Sequence, residues 1–440
     1  MATPMPVTDQ TMQHYWMPFT ANRDFKRHPR LFVRAEGVYY WNQKGERILD
    51  GSSGMFCSAL GHGRNEIADA VAAQLRQLDF ALPFQGGHPA QFALAQRVAG
   101  LTPDGLDYVF FCNSGSEAVD TAMKIALAYH HARGESGRTR FVSRERAYHG
   151  VNVGGTSLSG MIKNRAAFGL SVPGVVHMRH TWLPDTRYQP GQPLTGGELA
   201  EDLQRAVDTY GAHTIAACFV EPIAGSTGVL VPPRGYLERL RDICDANGIL
   251  LVFDEVICGF GRTGSVFAAH SFGVKPDMIT MAKALTNGAQ PMGAVAADQS
   301  VYQTIVNSGP EWAVELFHGY TYTGHPAACA AGLATLDIFA QEQLFDRAAE
   351  LSPYFLEQVF SLRDIPLITD IRGYGLLAGL DLAADEVVGK RGYWAQVKLF
   401  EAGLNVKMTG DACILAPAFV FEKAHIDQMC DILRRVFSNP

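Results

Sequence analysis

The sequence predicts an α/β protein with a large domain built on a mostly parallel mixed sheet that carries helices on its faces. From about residue 61 onward, short apolar runs bounded by Gly and Pro alternate with segments of helical spacing, an order typical of βα units. The runs are almost fully apolar, as expected for parallel strands buried on both faces. With 440 residues, 47% of them hydrophobic, the chain can bury a core of this size.

The first 60 residues differ from the rest. They are interpreted as an irregular arm followed by short strands over 31–35, 37–41 and 47–50, which Glu-Gly and Lys-Gly turns separate. We expect this part to belong to a second, smaller domain.

Residues 61–329 are predicted to form the large domain. Helices are predicted over 65–77 and 90–99, and strands over 108–112, 140–143, 214–220, 249–254, 277–282 and 293–297. The stretch 184–197 is predicted to be a surface loop. An Ala-rich helix over 326–339 follows, and an amphipathic helix near 425–436 comes last. We expect residues 330–440 to complete the smaller α+β domain begun by residues 1–60.

Charge and composition argue against several classes of protein. The net charge is −7 and Lys and Arg are scattered, so no basic stripe is present for nucleic acid. The first ten residues lack a signal-peptide pattern and the apolar runs are strand-length, so we expect a soluble cytoplasmic protein without a membrane segment. The eight cysteines form no CxxC pair, which indicates neither a metal site nor a disulfide framework.

Two of the predicted strands end on residues that suit pyridoxal phosphate (PLP) chemistry. One run leads into Asp254 and another into Lys283. PLP needs an anion against its pyridinium nitrogen and an amine that holds its aldehyde as a Schiff base. The alternative is that both are ordinary polar residues at strand ends.

A small-residue turn joins the strand 108–112 to a helical run. Ser114, Gly115 and Ser116 lie in this turn, where the first N–H groups of the helix can hold a phosphate. The alternative is a plain Ser N-cap with Glu in the first turn, which needs no ligand.

Three further residues follow strands at the same predicted sheet edge. Tyr148 and His149 come after the strand 140–143, and an aromatic ring there can stack on a pyridine ring. Glu221 ends the strand 214–220 and can hold a polar group of substrate or cofactor. Alternatively, these are a buried Tyr and a strand-end ion pair. The GxGxxG match at 259–264 is not favoured as a nicotinamide site, because residues 255–258 separate it from the strand.

Together these motifs resemble those of class III PLP-dependent aminotransferases of fold type I. The segments that carry the resemblance are NSGSEA at 113–118, YHG at 148–150, VEPIAGSTG at 220–228, LLVFDEVICGFGRTG at 250–264, MAKALTNG around Lys283 and HGYTYTGHP at 318–326. YWMPFTANR at 15–23 and SSGMF at 52–56 further resemble the β-alanine or ω-amino acid:pyruvate branch. The resemblance covers essentially the whole chain.

The resemblance implies roles for individual residues. Lys283 is the Schiff-base lysine and Asp254 the pyridinium partner, while Tyr148 and Val256 contact the two ring faces. Glu221 helps to order the site. Gly115 and Ser116 form the phosphate cup, and Thr321 reaches the phosphate of a neighbouring subunit's cofactor, which implies a homodimer or homotetramer. The substrate pocket is implied to be lined by Phe19, Met55 and Phe56.

One position departs from the family pattern. Where the family has an arginine that binds the substrate carboxylate, this chain has Lys407, which keeps the charge but lacks the two-pronged geometry. The predicted reaction moves an amino group from an ω-amino acid or a primary amine to pyruvate. The alternatives are a PLP-dependent isomerase, aminomutase or decarboxylase on the same fold. If Lys407 faces solvent, Arg23 or Arg262 would bind the carboxylate instead.

Overall fold

The computed structural model describes residues 8–169 and 171–439. Within these ranges the strands are β1 (Phe32–Glu36), β2 (Tyr39–Asn42), β3 (Arg47–Asp50), β4 (Tyr108–Cys112), β5 (Arg140–Arg144), β6 (Val175–Met178), β7 (Ile215–Val220), β8 (Leu250–Asp254), β9 (Met278–Met281), β10 (Gly293–Ala297), β11 (Ile368–Tyr374), β12 (Leu377–Leu382), β13 (Leu404–Asn405), β14 (Lys407–Thr409) and β15 (Ala412–Leu415). The helices are α1 (Asp9–Gln13), α2 (Asn22–Phe25), α3 (Ser53–Phe56), α4 (Asn65–Gln77), α5 (Pro89–Ala99), α6 (Gly115–Ala132), α7 (Val153–Leu158), α8 (Ile162–Arg165), α9 (Glu201–Tyr210), α10 (Tyr236–Asn247), α11 (Ala268–Phe272), α12 (Gln299–Val306), α13 (Pro326–Gln341), α14 (Leu344–Phe360), α15 (Lys390–Glu401) and α16 (Lys423–Phe437).

The central sheet has seven strands in the order β4-β10-β9-β8-β7-β5-β6. Strands β6, β5, β7, β8 and β9 pair in parallel, and β10 is antiparallel to both of its neighbours. Every residue of β7, β8, β9 and β10 is buried, as expected for strands covered on both faces. The predicted α/β class with a mostly parallel mixed sheet is therefore confirmed.

Two four-stranded sheets are built from the remaining strands. One has the order β1-β2-β3-β13 and the other β11-β12-β15-β14. In the first, β13 pairs in parallel with β3, and Leu404 lies opposite Leu49, so residues from both ends of the chain share a sheet. The division into residues 1–60, 61–329 and 330–440 stays a prediction.

Most predicted elements are present with small shifts at their ends. The helix over 65–77 and the strands over 108–112 and 293–297 have the predicted bounds. The sequence did not reveal β6, a four-residue strand at the sheet edge. The surface loop predicted over 184–197 is more firmly held than expected, because Tyr188 donates from its hydroxyl to the carbonyl of Ile368 at 2.8 Å and from its N–H to Asp370 at 2.8 Å.

The cysteines of the chain are part of its packing. Seven of the eight are buried and all are free thiols; Cys57, the exception, is half-buried. None of the helices in the described part of the chain combines the length and the apolar character needed to cross a bilayer.

Candidate active site

The carboxyl ends of five central strands meet at one edge of the sheet. Strands β5, β7, β8 and β9 are parallel, and β4 runs the same way because β10 is antiparallel to both β4 and β9. Such an edge is where open α/β sheets bind ligands. The segments that follow these strands enclose a cavity lined by Gly115, Ser116, Tyr148, His149, Gly150, Glu221, Ile223, Asp254, Val256, Ile257, Ala282 and Lys283.

Asp254 ends β8 as a buried carboxylate with a fixed direction. His149 Nδ1 lies 2.8 Å from Oδ2 of Asp254, and the N–H of Val256 donates to Oδ1 at 3.2 Å. Because an ionised carboxylate only accepts hydrogen bonds, His149 donates from Nδ1. Asp254 therefore presents an oriented anion to the cavity, with His149 behind it.

Lys283 begins the short turn that follows β9. Its backbone is left-handed, with φ of 50°, a conformation that non-glycine residues adopt mainly where the surroundings enforce it. Burial lowers the pKa of the Lys283 ammonium, and the nearby Cys57, Asp254 and Glu221 oppose that shift. A lowered pKa increases the fraction of free amine, which is the nucleophilic form.

Gly115 and Ser116 form one end of the cavity. They begin α6, an 18-residue helix, whose first N–H groups have no partner within the helix and suit an anion. A Cβ at Gly115 would lie 2.9 Å from Cγ1 of Val256, and one at Gly150 would lie 2.5 Å from Oγ of Ser116. Both glycines thus allow backbone and side chains to approach closely around the start of the helix.

Ser114 precedes Gly115 and Ser116 as the N-cap of α6. Its Oγ accepts a hydrogen bond from the N–H of Glu117 at 3.1 Å, and the Glu117 carboxylate accepts from the N–H of Asn113 at 2.7 Å. Of the three residues in the turn, Gly115 and Ser116 line the cavity and Ser114 does not. A role of Ser114 in phosphate binding stays a prediction.

Tyr148 and Glu221 lie together in the cavity wall. The N–H of Tyr148 donates to Oε2 of Glu221 at 3.3 Å. Burial raises the pKa of the Glu221 carboxyl to about 7, against the opposing charge of His149. Burial also raises the pKa of the Tyr148 hydroxyl. Glu221 can therefore carry a proton near neutral pH beside the permanent anion of Asp254.

The segment 52–57 closes the side of the site near Lys283. Nζ of Lys283 lies 5.7 Å from the ring centroid of Phe56, and Phe56 is buried while Met55 is 48% exposed. Burial raises the pKa of the Cys57 thiol, and the charge of Lys283 opposes that shift. The predicted substrate residues Met55 and Phe56 are thus carried by one segment, and Phe56 is the one beside the amine.

Lys407, the residue that departs from the family pattern, lies near enough to Lys283 for the two charges to interact, although it does not line the cavity. It begins β14 and is half-buried. Burial lowers the pKa of its ammonium, and the positive charge of Lys283 lowers it further. Within the described ranges it makes no ion pair. A cation near a second cation and without an acidic partner suits an anionic group of a ligand.

The alternatives to Lys407 do not fit the structure. Arg262 is fully buried and donates to the carbonyl of Pro417 at 2.6 Å and to Oγ of Ser53 at 2.9 Å, so it holds the fold together. Burial lowers its pKa to about 10. Arg23 lies on an exposed depression formed by the N-terminal arm.

Six of the predicted site residues do not line the cavity of this single chain. They are Ser114, Met55, Phe56, Lys407, Phe19 and Thr321. Phe19 is 77% exposed with φ of 47°, and Thr321 is exposed. Neither lines the cavity. Their placement leaves them free to contact another molecule, and their roles stay predictions.

Sequence reasoning missed Glu255 as a structural member of the site. Its carboxylate accepts from the N–H groups of Ala268 and Ala269 at 2.6 and 2.8 Å, which anchors the segment after Asp254 to the start of α11. Burial raises its pKa to about 8. The one signal in the sequence was a second acid directly after Asp254.

The described residues contain no group of three or more His, Cys, Asp or Glu arranged to hold a metal ion.

The groups that line the cavity fit PLP. The start of α6 can take a phosphate, Asp254 offers a buried anion, Lys283 offers an amine of lowered pKa, and Tyr148 offers an aromatic ring. The close approaches at Gly115 and Gly150 form a cradle that a Cβ would fill.

Comparisons with known proteins agree with this geometry. Residues 20–437 match the family model "Aminotransferase class-III". The chain is 51% identical over 424 residues to an omega-aminotransferase of Caulobacter vibrioides, covering 96% of both chains, and 46% identical over 429 residues to an omega-amino acid–pyruvate aminotransferase of Pseudomonas putida, covering 96% of this chain and 95% of the other. An omega transaminase of Pseudomonas jessenii solved in complex with PMP has a TM-score of 0.92 at 31% identity, covering 98% of both chains.

Proposed function

Because the chain belongs to the class III aminotransferase family, we propose that it transfers an amino group from an ω-amino acid or a primary amine to pyruvate. The products are alanine and an aldehyde or ketone. The observation that carries this proposal is that the buried Asp254 and the half-buried Lys283 line one cavity at the carboxyl edge of the sheet. The names of the Caulobacter and Pseudomonas relatives support the amino transfer and the use of pyruvate.

PLP is the cofactor. When bound, it supplies an electron sink for the bond that is broken at the substrate Cα. Gly115 and Ser116 would hold its phosphate through the N–H groups of α6. Tyr148 and Val256 would contact its ring. Asp254, supported by His149, would keep a proton on the ring nitrogen, because a buried anion favours the protonated, charged form of a base beside it.

Lys283 has two tasks. Its free amine would hold the cofactor through the aldehyde, and the same Nζ would accept and return the proton of the substrate Cα. The lowered pKa of Lys283 suits both tasks, since the neutral amine is the form that attacks and the form that accepts a proton. Glu221 lies close enough to affect the charge of Lys283 and helps to order the wall.

Lys407 selects substrates that carry a carboxylate. A flexible point charge holds a carboxylate less firmly than the fork of an arginine, a difference of roughly 1–2 kcal/mol. Simple amines do not use that contact and lose nothing. We therefore expect an enzyme that tilts toward simple amines relative to a family member with Arg, and for which dicarboxylic acceptors such as 2-oxoglutarate are poor.

A panel of donors tests the reaction. Each ω-amino acid or amine is incubated with pyruvate, and alanine formation is measured. Ping-pong kinetics with both substrates required is the expected result. Isomerisation or decarboxylation of a single substrate, without alanine, would contradict the proposal and favour the alternative enzymes on the same fold.

A matched pair of donors tests Lys407. We compare kcat/KM for one ω-amino acid and one amine of equal length in the wild type, Lys407→Arg and Lys407→Ala. The kcat/KM of the ω-amino acid divided by that of the amine should rise in Lys407→Arg and fall in Lys407→Ala. An unchanged ratio across the three proteins would remove Lys407 from the carboxylate site.

We also propose that the enzyme assembles as a homodimer or homotetramer with shared sites, in which Thr321 reaches the phosphate of a neighbouring subunit's cofactor. Large exposed aromatic residues support a buried interface. These are Tyr15, Trp16, Phe19, Trp312 and Phe317, each more than 60% exposed. Size measurements with and without PLP test the proposal, because cofactor binding and association should be coupled. A fully active monomer would contradict it. A cytoplasmic location stays a prediction.

A further inference from the structure

A buried carboxylate outside the cavity organises one side of the site. Asp50 ends β3 and is 1% exposed. Oδ1 of Asp50 accepts from the N–H of Ser52 at 3.2 Å and from Nδ2 of Asn405 at 3.2 Å. Oδ2 lies 2.8 Å from Nε2 of His62 and accepts from the N–H of Gly54. Four donors thus occupy the four acceptor positions of one carboxylate, and they come from three separate parts of the chain.

Ser52 connects this carboxylate to both walls of the substrate pocket. Its Oγ accepts a hydrogen bond from the N–H of Lys407 at 2.7 Å, and its carbonyl accepts from the N–H of Phe56 at 2.9 Å. Ser52 is fully buried. The backbones of Phe56, which lies beside the Lys283 amine, and of Lys407 are therefore both hydrogen-bonded to Ser52.

The segment between Ser52 and Cys57 cannot keep its shape by local preference. Ser53 and Phe56 have φ of 46° and 66°, and Gly54 has φ of 72°. Left-handed conformations at residues other than glycine persist only where surrounding contacts enforce them. The bonds from Asp50 to the N–H groups of Ser52 and Gly54 are contacts of that kind.

We propose that Asp50 and Ser52 are positioning residues that fix the place of Lys407 and Phe56 relative to Lys283, and so set which length of amino-acid donor the site accepts. An ω-amino acid carries its amine and its carboxylate a fixed number of bonds apart, so both ends are held only if Lys407 keeps one distance from the place beside Lys283 where the donor amine would bind. Misplacement of such a contact by about 1 Å costs up to about 100-fold in rate. The inference rests on the proposed function, because it assumes that Lys407 holds the carboxylate.

The test is Ser52→Ala, which deletes the acceptor of the Lys407 N–H and leaves the carbonyl that Phe56 uses. We measure kcat and KM for β-alanine, for its homologues with one and two more methylene groups, and for alkylamines of matching length. The variant also deletes the donation from Ser52 Oγ to the carbonyl of Ile414 at 3.4 Å. Loss of the hydrogen bond to the Lys407 N–H predicts that the ratio of amino-acid to amine kcat/KM falls about three- to tenfold, mainly through KM of the amino acid. The preference among the amino-acid lengths should flatten.

Ser58→Ala is the matched control. Ser58 is a buried serine directly after the same segment, and its Oγ makes no hydrogen bond within the described part of the chain, so the ratio and the length preference should stay those of the wild type.

If Ser52→Ala does not fold, Ser52→Cys keeps the volume with a weak acceptor and should show a smaller change in the same direction. Asp50→Asn should flatten the length preference too, because an NH2 group that only donates replaces one carboxylate oxygen and its two acceptor positions.

The outcomes separate this inference from the proposed function. No alanine from any donor with the wild type would overturn the proposed function. An unchanged ratio in Lys407→Ala would overturn the role of Lys407 and this inference with it. A changed ratio in Lys407→Ala together with equal losses for acids and amines in Ser52→Ala would show that Ser52 is merely structural and would overturn this inference alone.

Discussion

Replacement of Gly115 by alanine should disturb the phosphate cup by a contact that the structure specifies. A Cβ at this position would lie 2.9 Å from Cγ1 and 3.0 Å from Cγ2 of Val256, whereas ordinary contacts begin near 3.4 Å. Val256 must then move by about 0.5 Å into a cavity that it also lines. Overpacking of this kind costs about 1–3 kcal/mol.

The effect can be measured in two ways. Part of this cost should lower the unfolding temperature of the Gly115→Ala apoprotein below that of the wild-type apoprotein, and the remainder should weaken PLP binding, by at most about 150-fold. Gly100→Ala is the control, because its Cβ would meet nothing closer than 3.6 Å.

A double mutant isolates the cause. In Gly115→Ala combined with Val256→Ala both clashing methyl groups are gone, so the two changes should destabilise the apoprotein by at least about 1 kcal/mol less than the sum of the single changes. Additive losses, or a Gly115→Ala apoprotein as stable as the wild type, would refute the reasoning from the Val256 contact.

Three further predictions concern the acidic and basic groups of the cavity. Lys283→Ala should abolish turnover and the visible absorption of the lysine-bound cofactor while weak PLP binding survives; borohydride trapping of PLP on another lysine would contradict this. Asp254→Asn should keep that absorption but lower kcat by orders of magnitude, and near-normal turnover would remove Asp254 from its role. Because the pKa of Glu221 is raised from 4.5 to about 7, the folded state holds that proton more tightly. Its contribution to apoprotein stability should be full below pH 4.5 and fall by up to about 3 kcal/mol as the pH rises to 7. Denaturant unfolding of Glu221→Gln should show a flatter profile in that window, and an equal slope would contradict the assignment.

The sequence was most informative where burial dictates pattern. The apolar runs that become β7 and β8 are fully buried. Because neither face of these strands meets solvent, apolar and polar residues do not alternate along them, and the ends of each apolar run mark the ends of the strand. The four residues of β6 lie at the sheet edge and are mostly half-buried. A short edge strand has neither a continuous apolar run nor a strict alternation, and it therefore escaped prediction.

The site shows the same limit. Asp254, Lys283 and Tyr148 were found because parallel strands bring their carboxyl ends to one edge. The network around Asp50 was not found from the sequence. The pairing of β3 with β13 brings Asn405 beside Asp50, and the bridge between Gly37 and His62 holds His62 near the same sheet; neither pairing has a local sequence signal. The sequence could not separate the two interpretations of Ser114, because a helix N-cap and a phosphate cup use the same residue types.

The strand order of the central sheet has a consequence for how the enzyme is made. Strand β4, which leads into Gly115 and Ser116, lies at the edge and pairs with β10 alone, with Cys112 opposite Gly293. On a ribosome, β4 is synthesised long before its partner, so it waits unpaired while most of the chain emerges. The loop between β4 and β10 is long and therefore closes slowly, and it can close only after β10 has been synthesised. The nascent chain therefore acquires its phosphate cup only after β10 has left the exit tunnel, and a fragment that stops short of Gly293 should leave β4 as an open edge available to chaperones or to other nascent chains.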